Sequence, residues 1–586
     1  MRARWALAGL LLAAPLLGAE GALPPIRFEA ATAAVGAGFR HHTRTFPGEF
    51  SEVLGMFTVG GSSVAVADYD GDGDLDLFLC DSELGTESRL LRNDLEAGRP
   101  EMLRFTDVTR EAGLGGGNDA HSIVSDAMFF DADDDGREDL LVARFGTPIL
   151  YRNLGGGKFE DVSAGAGLSK FGNTIAVIAF DADNDGRLDL LFANYFKPVN
   201  LLDLPDHHVL PNDLDAATNG GGVTFWKNVT EQAAPDGKPR PIRFVEATEA
   251  VGLAKLTGWS LDLGHADLNN DGWQDLYVAC DYGTDRLFFN QRDGTFRDAT
   301  QAAIGFDTKK GMNVDFADYN HDGWLDVYVT NITDEYMKEC NMLWSNNGDG
   351  TFIDLAKETG TCDTLWGWGA KFGDFDNDTW EDLFVVNGLR SAGPENYIPT
   401  LVEMIIKPGI DFSDVASWPK IGAMSWSGRQ KKKLFHNLSG QLFKEIAAEA
   451  GVDNVADGRG IGVADFDGDG KLDLYQANAN QDSLFYRNRT ENAGHYVELD
   501  LRGIRSNRDG IGARVTLKVA GATLIREVNG GNGYASQSGH RLHFGLGSST
   551  AIESAVVSWP SGQKDTLILP LDRRSMIEEG KGVVPR

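Results

Sequence analysis

The chain has 586 residues, with 87 Asp and Glu against 54 Lys and Arg and a formal net charge of -33 at pH 7. So acidic a surface excludes the basic footprint that phosphate contact needs, and nucleic acid is not an expected partner. Its four cysteines are too few for a disulfide framework.

In chain order, Met1-Arg2-Ala3-Arg4 precedes an apolar run from Trp5 to Leu17 and small residues near Ala19 to Ala22, the build of a secretory signal peptide over residues 1–22. That run is short for a membrane span, and no later one is long enough to cross a bilayer. The mature chain is expected to be exported, secreted or periplasmic, without a membrane span.

From Asp68 onward a carboxylate-rich loop, D-x-[DN]-x-D-G-x-x-D, recurs seven times, and each copy runs into a short apolar strand. The candidate ligands are Asp68, Asp70, Asp72 and Asp76 in the first copy, Asp131, Asp133, Asp135 and Asp139 in the second, and Asp181, Asp183, Asp185 and Asp189 in the third. The fourth has Asp267, Asn269, Asp271 and Asp275, and the fifth Asp318, Asn320, Asp322 and Asp326. The sixth has Asp374, Asp376, Asp378 and Asp382, and the seventh Asp465, Asp467, Asp469 and Asp473. Alternate residues of a tight loop turn toward one centre, and a cage of six or more oxygens favours Ca2+ over Mg2+. Up to seven calcium ions are expected. Gly at the sixth position permits φ > 0. The sixth copy carries Thr379 there, so its turn is expected to be strained or reshaped and its site the weakest. Position 12 is never a carboxylate, being Leu79 in the first copy and Gln476 in the last, which excludes an EF-hand. The bland alternative, acidic turns that bind nothing, leaves seven sets of crowded carboxylates without a counter-charge.

Two markers keep step with the loops. One is an F-x-[DE] segment followed by Gly, as in Phe105-Thr106-Asp107 with Gly113, with related starts at Phe28, Phe159, Phe244, Phe296, Phe352 and Phe443. The other is an apolar stretch closing on Asn, at Asn93, Asn153, Asn228, Asn290, Asn346, Asn437 and Asn488. Each unit has room for about four short strands, which predicts an all-β chain with a seven-bladed β-propeller over residues 23–490. The segment at Phe28 is expected to complete the last unit. Two connections opposite the loops are long, Tyr195 to Gly222 with His207 and His208, and Gly388 to Lys433 with Trp418, Trp426 and the basic run Arg429, Lys431, Lys432 and Lys433. They are expected to form a ligand or partner surface, the two Trp supplying stacking area.

Residues 494–586 form a further segment of alternating strands and Gly turns, expected to be a small β domain. Gly510-Ile511-Gly512-Ala513-Arg514, Gly530-Gly531-Asn532-Gly533-Tyr534, Arg541-Leu542-His543-Phe544-Gly545 and Val556-Val557-Ser558-Trp559-Pro560 stand in it in that order. This set resembles an ASPIC/UnbV domain, and the preceding repeats resemble the FG-GAP/VCBS repeats of integrin α-chain propellers. Together they resemble the cartilage acidic protein family. The resemblance implies a secreted, calcium-binding propeller used for adhesion or extracellular interaction, with no common enzymatic chemistry. Nothing here resembles the rest of an integrin chain, so integrin ligand specificity is not implied.

Cys340 and Cys362 flank the hairpin from Asn346 to Phe352 and are placed to bridge in an oxidising compartment, whereas Cys80 and Cys280 read as buried thiols. The pairs His41-His42 and His207-His208 read as solvated loop residues, with transition-metal binding the alternative. No G-x-S-x-G elbow, H-E-x-x-H or phosphate loop is present. Two functions remain. One is a calcium-stabilised extracellular scaffold that binds a protein or glycan. The other is an extracellular polysaccharide hydrolase or lyase with its site on the face opposite the calcium loops, which an axial cleft of convergent Asp, His, Tyr or Arg would favour.

Overall fold

The computed structural model of the protein describes residues 25–46, 48, 51–58, 60–203, 208–231 and 240–585; the segment expected to be a signal peptide, residues 1–22, and His207 lie outside them. Each carboxylate loop is the turn of an antiparallel hairpin. In the first, Val64–Ala67 leads in and Asp76–Leu79 leads out, with Ala67 opposite Asp76. The ninth-position Asp faces the residue before the loop in the other copies too, as in Phe130 with Asp139, Ala266 with Asp275 and Gly373 with Asp382. The outgoing strands are apolar because they are covered on both faces, Asp139–Gly146 and Asp326–Thr330 being buried throughout.

Two more strands complete each unit, and their markers are cross-strand partners. Asn93 pairs with Phe105, Asn153 with Phe159, Asn228 with Phe244, Asn290 with Phe296, Asn346 with Phe352, Asn437 with Phe443, and Asn488 with Phe28. The last pair joins Phe28–Ala30 to Leu484–Asn488, so the chain's first strand completes its last unit. The Gly that follows the Phe strand has a double reason in six of the seven units, Gly305 having only its positive φ. Gly167 has φ 84°, and a Cβ there would lie 2.5 Å from the Phe244 carbonyl oxygen of the next unit. Gly451, at φ 82°, approaches the Phe28 carbonyl in the same way.

The strands leading into the loops touch in cyclic order, from Val64–Ala67 through Ile123–Phe130, Gly172–Phe180, Trp259–Ala266, Asn313–Ala317, Gly367–Gly373 and Gly458–Ala464 back to the first. Two units share one eight-stranded sheet where Gly172 and Asn173 pair with Gly146 and Phe145. The architecture of the described residues is all-β, with short helices at its connections.

From His495 onward the chain builds two four-stranded sheets around Val497, Leu499, Leu517, Phe544, Val557 and Ile577. The segment between Ala522–Glu527 and Leu542–Gly547 leaves this body and runs among the innermost strands of the repeats. There the Gly530 amide donates to His265 Nε2 at 2.8 Å, the Tyr534 amide donates to Asn313 Oδ1 at 2.9 Å, and Gln537 Nε2 donates to the Phe129 carbonyl at 2.7 Å. Ser536 and Gln537 pair in parallel with Val64 and Ala65.

At the other end of the axis the two long connections meet. The Leu210 amide donates to the Ser413 carbonyl at 3.1 Å, and the Ile421 amide donates to Glu52 Oε2 of the helix Ser51–Phe57 at 3.0 Å. Trp418 and Trp426, expected as stacking surface, are buried. Trp426 packs on Tyr397 and Trp366 with centroids 5.1 and 5.7 Å apart, and Trp418 donates Nε1 to the Phe412 carbonyl at 3.0 Å. The large apolar area of these indoles holds the junction together instead of facing solvent. Lys432, from the basic run, is likewise buried, its ammonium donating to Asn387 Oδ1 at 2.7 Å, and desolvation lowers its pKa to about 7. Cys340 and Cys362 are bridged, and Cys80 and Cys280 are buried thiols.

Candidate metal centres

Each loop is organised around its first carboxylate. In the second, Asp131 Oδ2 accepts from the Gly136 amide at 2.7 Å and Oδ1 from the Asp135 amide at 3.1 Å, and Asp181, Asp267, Asp318 and Asp465 repeat the pattern. The sixth loop keeps it as well, with the Thr379 amide 2.8 Å from Asp374 Oδ2, but at φ 91°, inside the 84° to 100° that Gly470 and Gly73 span. Threonine thus holds a glycine conformation, which is strained. Thr379→Gly is expected to raise stability by about 1 kcal/mol, the strain relief exceeding the entropy cost of a new glycine. Chemical denaturation reads this, and an unchanged or lower midpoint would show that the turn is relaxed.

The ninth carboxylate explains the Asn marker. The Asn290 amide donates to Asp275 Oδ1 at 2.9 Å, and the six other Asn do the same to their own unit's Asp. The side-chain amide then reaches the preceding unit, Asn290 Nδ2 lying 2.8 Å from the Ala182 carbonyl and Asn93 Nδ2 2.9 Å from that of Phe466, which closes the circle. Asn290→Ala strips donors from the buried carbonyls of Ala182 and Gln274. A loss of about 2–4 kcal/mol in urea unfolding is expected, and a loss below about 1 kcal/mol would mean that the staple contributes little.

The carboxylates are gathered as an ion would require. Ligand oxygens of Asp68, Asp70 and Asp76 lie within 4.8 Å of one another, as do those of Asp131, Asp133 and Asp139 and those of Asp181, Asp183 and Asp185. Oxygens about 2.3–2.6 Å from a shared calcium span that range. Asp68, Asp326 and Asp473 each keep a buried oxygen with no hydrogen-bond partner. Desolvation raises Asp68 to about 6 and Asp181 and Asp318 to about 7, and pushes Asp139, Asp275 and Asp382 well above the usual range. The donor set therefore fits calcium.

A second pattern escaped the reading of single motifs. The residue before the Asn marker varies with the third loop position. Where that position is Asp, it is Arg92, Arg152, Lys227, His436 or Arg487; where it is Asn269 or Asn320, it is Phe289 or Ser345. Lys227 Nζ stands 2.6 Å from Asp183 and 3.0 Å from Asp185, Arg487 Nε stands 2.9 Å from Asp467, and Arg152 pairs with Asp133. Comparing the copies column by column at this position would have found it.

The C-terminal domain covers the loop face. Arg541 Nη2 donates to the Gly73 carbonyl at 3.0 Å, Asp509 accepts from the Asp131 amide at 2.7 Å, and Arg514 Nη2 donates to the Asp267 carbonyl at 2.6 Å. Over the sixth loop the Gly547 amide donates to the Asn377 carbonyl at 2.7 Å and His543 contacts Asn377 Oδ1 at 2.8 Å. Of the expected histidines, His41 is buried against Ser82, burial lowering it to about 3, and His42 pairs with Asp81 at 2.8 Å. His208 pairs with Asp411 at 3.5 Å.

Residues 503–584 match the family model ASPIC and UnbV, and residues 131–192 and 267–329 match the FG-GAP-like repeat. Cartilage acidic protein 1 of Homo sapiens is 32% identical over 261 residues, 38% of this chain and 37% of that protein, and its Mus musculus counterpart is 31% identical over 38% of each. The match thus spans little more than a third of these relatives. Among solved structures, a Bacillus licheniformis rhamnogalacturonan lyase superposes with a TM-score of 0.34 at 12% identity over 72% of this chain and 71% of the lyase, too loosely to carry an argument. No helix among the described residues is long and apolar enough to cross a membrane. This chain therefore carries FG-GAP-like repeats and a C-terminal ASPIC and UnbV domain, and over little more than a third of its length it is similar to cartilage acidic protein 1.

Proposed function

We propose that the protein is an exported, integrin α-like seven-bladed β-propeller whose loops hold calcium as structural ions, and that it acts as an extracellular scaffold for binding or adhesion to a protein or glycan. The blade number is supported by one four-strand plan at each of seven loops and by the cyclic contact of the leading strands. Calcium is supported above all by the buried carboxylate oxygens of Asp68, Asp326 and Asp473 that no hydrogen bond satisfies, since buried charge needs a partner. Calcium, when bound, supplies neutralising charge; the chain supplies the cage and the Asn staples that fix each cage to the preceding unit.

A polysaccharide hydrolase or lyase would need an open cleft. The axial cavity on the face away from the loops measures about 40 Å³ and lies among Tyr195, Asp281, Trp366, Trp368, Trp426 and Tyr534, so the axis itself offers no cleft of the size of a ligand pocket. Elemental analysis after dialysis against about 1 mM calcium, the range of extracellular modules, is expected to return six or seven calcium ions per chain. A count of none would overturn the reading.

A further inference from the structure

Among the residues that precede the Asn markers, His436 alone offers an imidazole nitrogen to a metal; its counterparts are Arg92, Arg152, Lys227, Phe289, Ser345 and Arg487. Its Nε2 lies 3.4 Å from Asp376 Oδ2, 3.9 Å from Asp378 Oδ2 and 4.0 Å from Asp382 Oδ1. Nε2 has no hydrogen-bond partner, nor does either oxygen of Asp376, although His436 is 8% exposed and Asp376 1%. A histidine serving only as counter-charge would close to hydrogen-bond contact, as Lys227 and Arg487 do on their own third-position Asp. The observed spacing instead suits ligand atoms about 2.0–2.2 Å from a common centre, which stand roughly 3–4.4 Å apart.

We propose that the sixth loop takes a first-row divalent transition ion such as Zn2+ or Mn2+, held by His436 Nε2 with Asp376, Asp378 and Asp382. The proposal rests on reading the loops as ion sites and assigns this one a different chemistry. Calcium is a hard cation that selects oxygen donors, whereas imidazole with carboxylates suits the transition series. The site is also enclosed. Asp374, Asp376 and Asp382 are all buried, and Gly545 and Gly547 of the C-terminal domain press on Asp374, Asn377 and Asp378, where a Cβ at Gly545 would overlap Asp374. A shell that excludes water strengthens such coordination.

The test uses the full mature chain, stripped with a chelator, equilibrated with about 1 mM calcium and titrated with Co2+, whose visible spectrum reports nitrogen coordination. The expected result is about one Co2+ per chain beside six calcium ions, displaced by Zn2+. His436→Arg copies Arg152 and Arg487, so it keeps the fold and the six calcium ions while weakening Co2+ by more than about 100-fold, the upper end for loss of an outer-shell partner alone. Seven calcium ions with no Co2+ bound, or a Co2+ spectrum indifferent to His436→Arg, would overturn the proposal. If no calcium binds but a His436-dependent Co2+ spectrum persists, the calcium reading fails and this site stands.

Discussion

Ion-free protein is expected to gain stability on acidification from pH 7.5 to 5.5, and calcium-loaded protein to lose it. Desolvation raises the folded-state values of Asp68 to about 6 and of Asp181 and Asp318 to about 7, above the ordinary Asp value near 3.9. A group that binds its proton more tightly when folded contributes stability that is complete below about pH 4 and lost as pH rises to about 7. For Asp181 and Asp318 that loss is on the order of 4 kcal/mol each, against a total stability of about 5–15 kcal/mol. Calcium, held as proposed, would reverse the sign, because it would bind the ionised loops and have to compete with protons once the pH falls. At pH 7.5, calcium removal is expected to lower Tm by about 10 °C or more. Unfolding curves across this pH range, with and without calcium, decide the matter; two parallel profiles would sink it.

Gly530→Ala is expected to pull the C-terminal segment out of the repeat axis. A Cβ at Gly530 would overlap the Ala179 carbonyl oxygen, and the Ala179 amide donates to the Gly530 carbonyl at 2.9 Å, so neither backbone can yield without breaking the other's bond. Displacement would also cost the contacts of Asn532 and Gln537 with His265 and Phe129. Several buried hydrogen bonds at about 1–3 kcal/mol each predict a loss of roughly 4 kcal/mol or more, with early proteolytic cleavage near residue 530. Tyr534→Phe is the control. Its hydroxyl is buried without a partner, so removal should change stability by less than about 1 kcal/mol. A Gly530→Ala protein that melts within about 2 °C of the parent would show the axis to be loosely packed.

Much of the repeat was legible because its signals are local. Hairpin turns need φ > 0 at Gly73 or Gly136, strands leaving the loop need apolar alternation, and the ligand oxygens sit within nine residues of one another. The Asn and Phe markers were visible as a period, but their meaning was not: Asn290 reaches Ala182, 108 positions earlier, and Gly167 is required by a carbonyl of the next unit. The link between Asp183 and Lys227, or Asp376 and His436, likewise depends on which strand lies beside which loop.

The burial of Trp418 and Trp426 shows the same divide from the other side, since a loop's composition does not say whether another loop will cover it. By itself the sequence determined an acidic, all-β repeat chain with seven carboxylate-rich loops, through patterns a few residues long. Only the tertiary structure decided that the C-terminal domain lies across those loops and threads Gly530 to Gln537 into the axis. Those contacts join residues separated by hundreds of positions, and complementary surfaces so far apart leave no periodic trace in either segment alone.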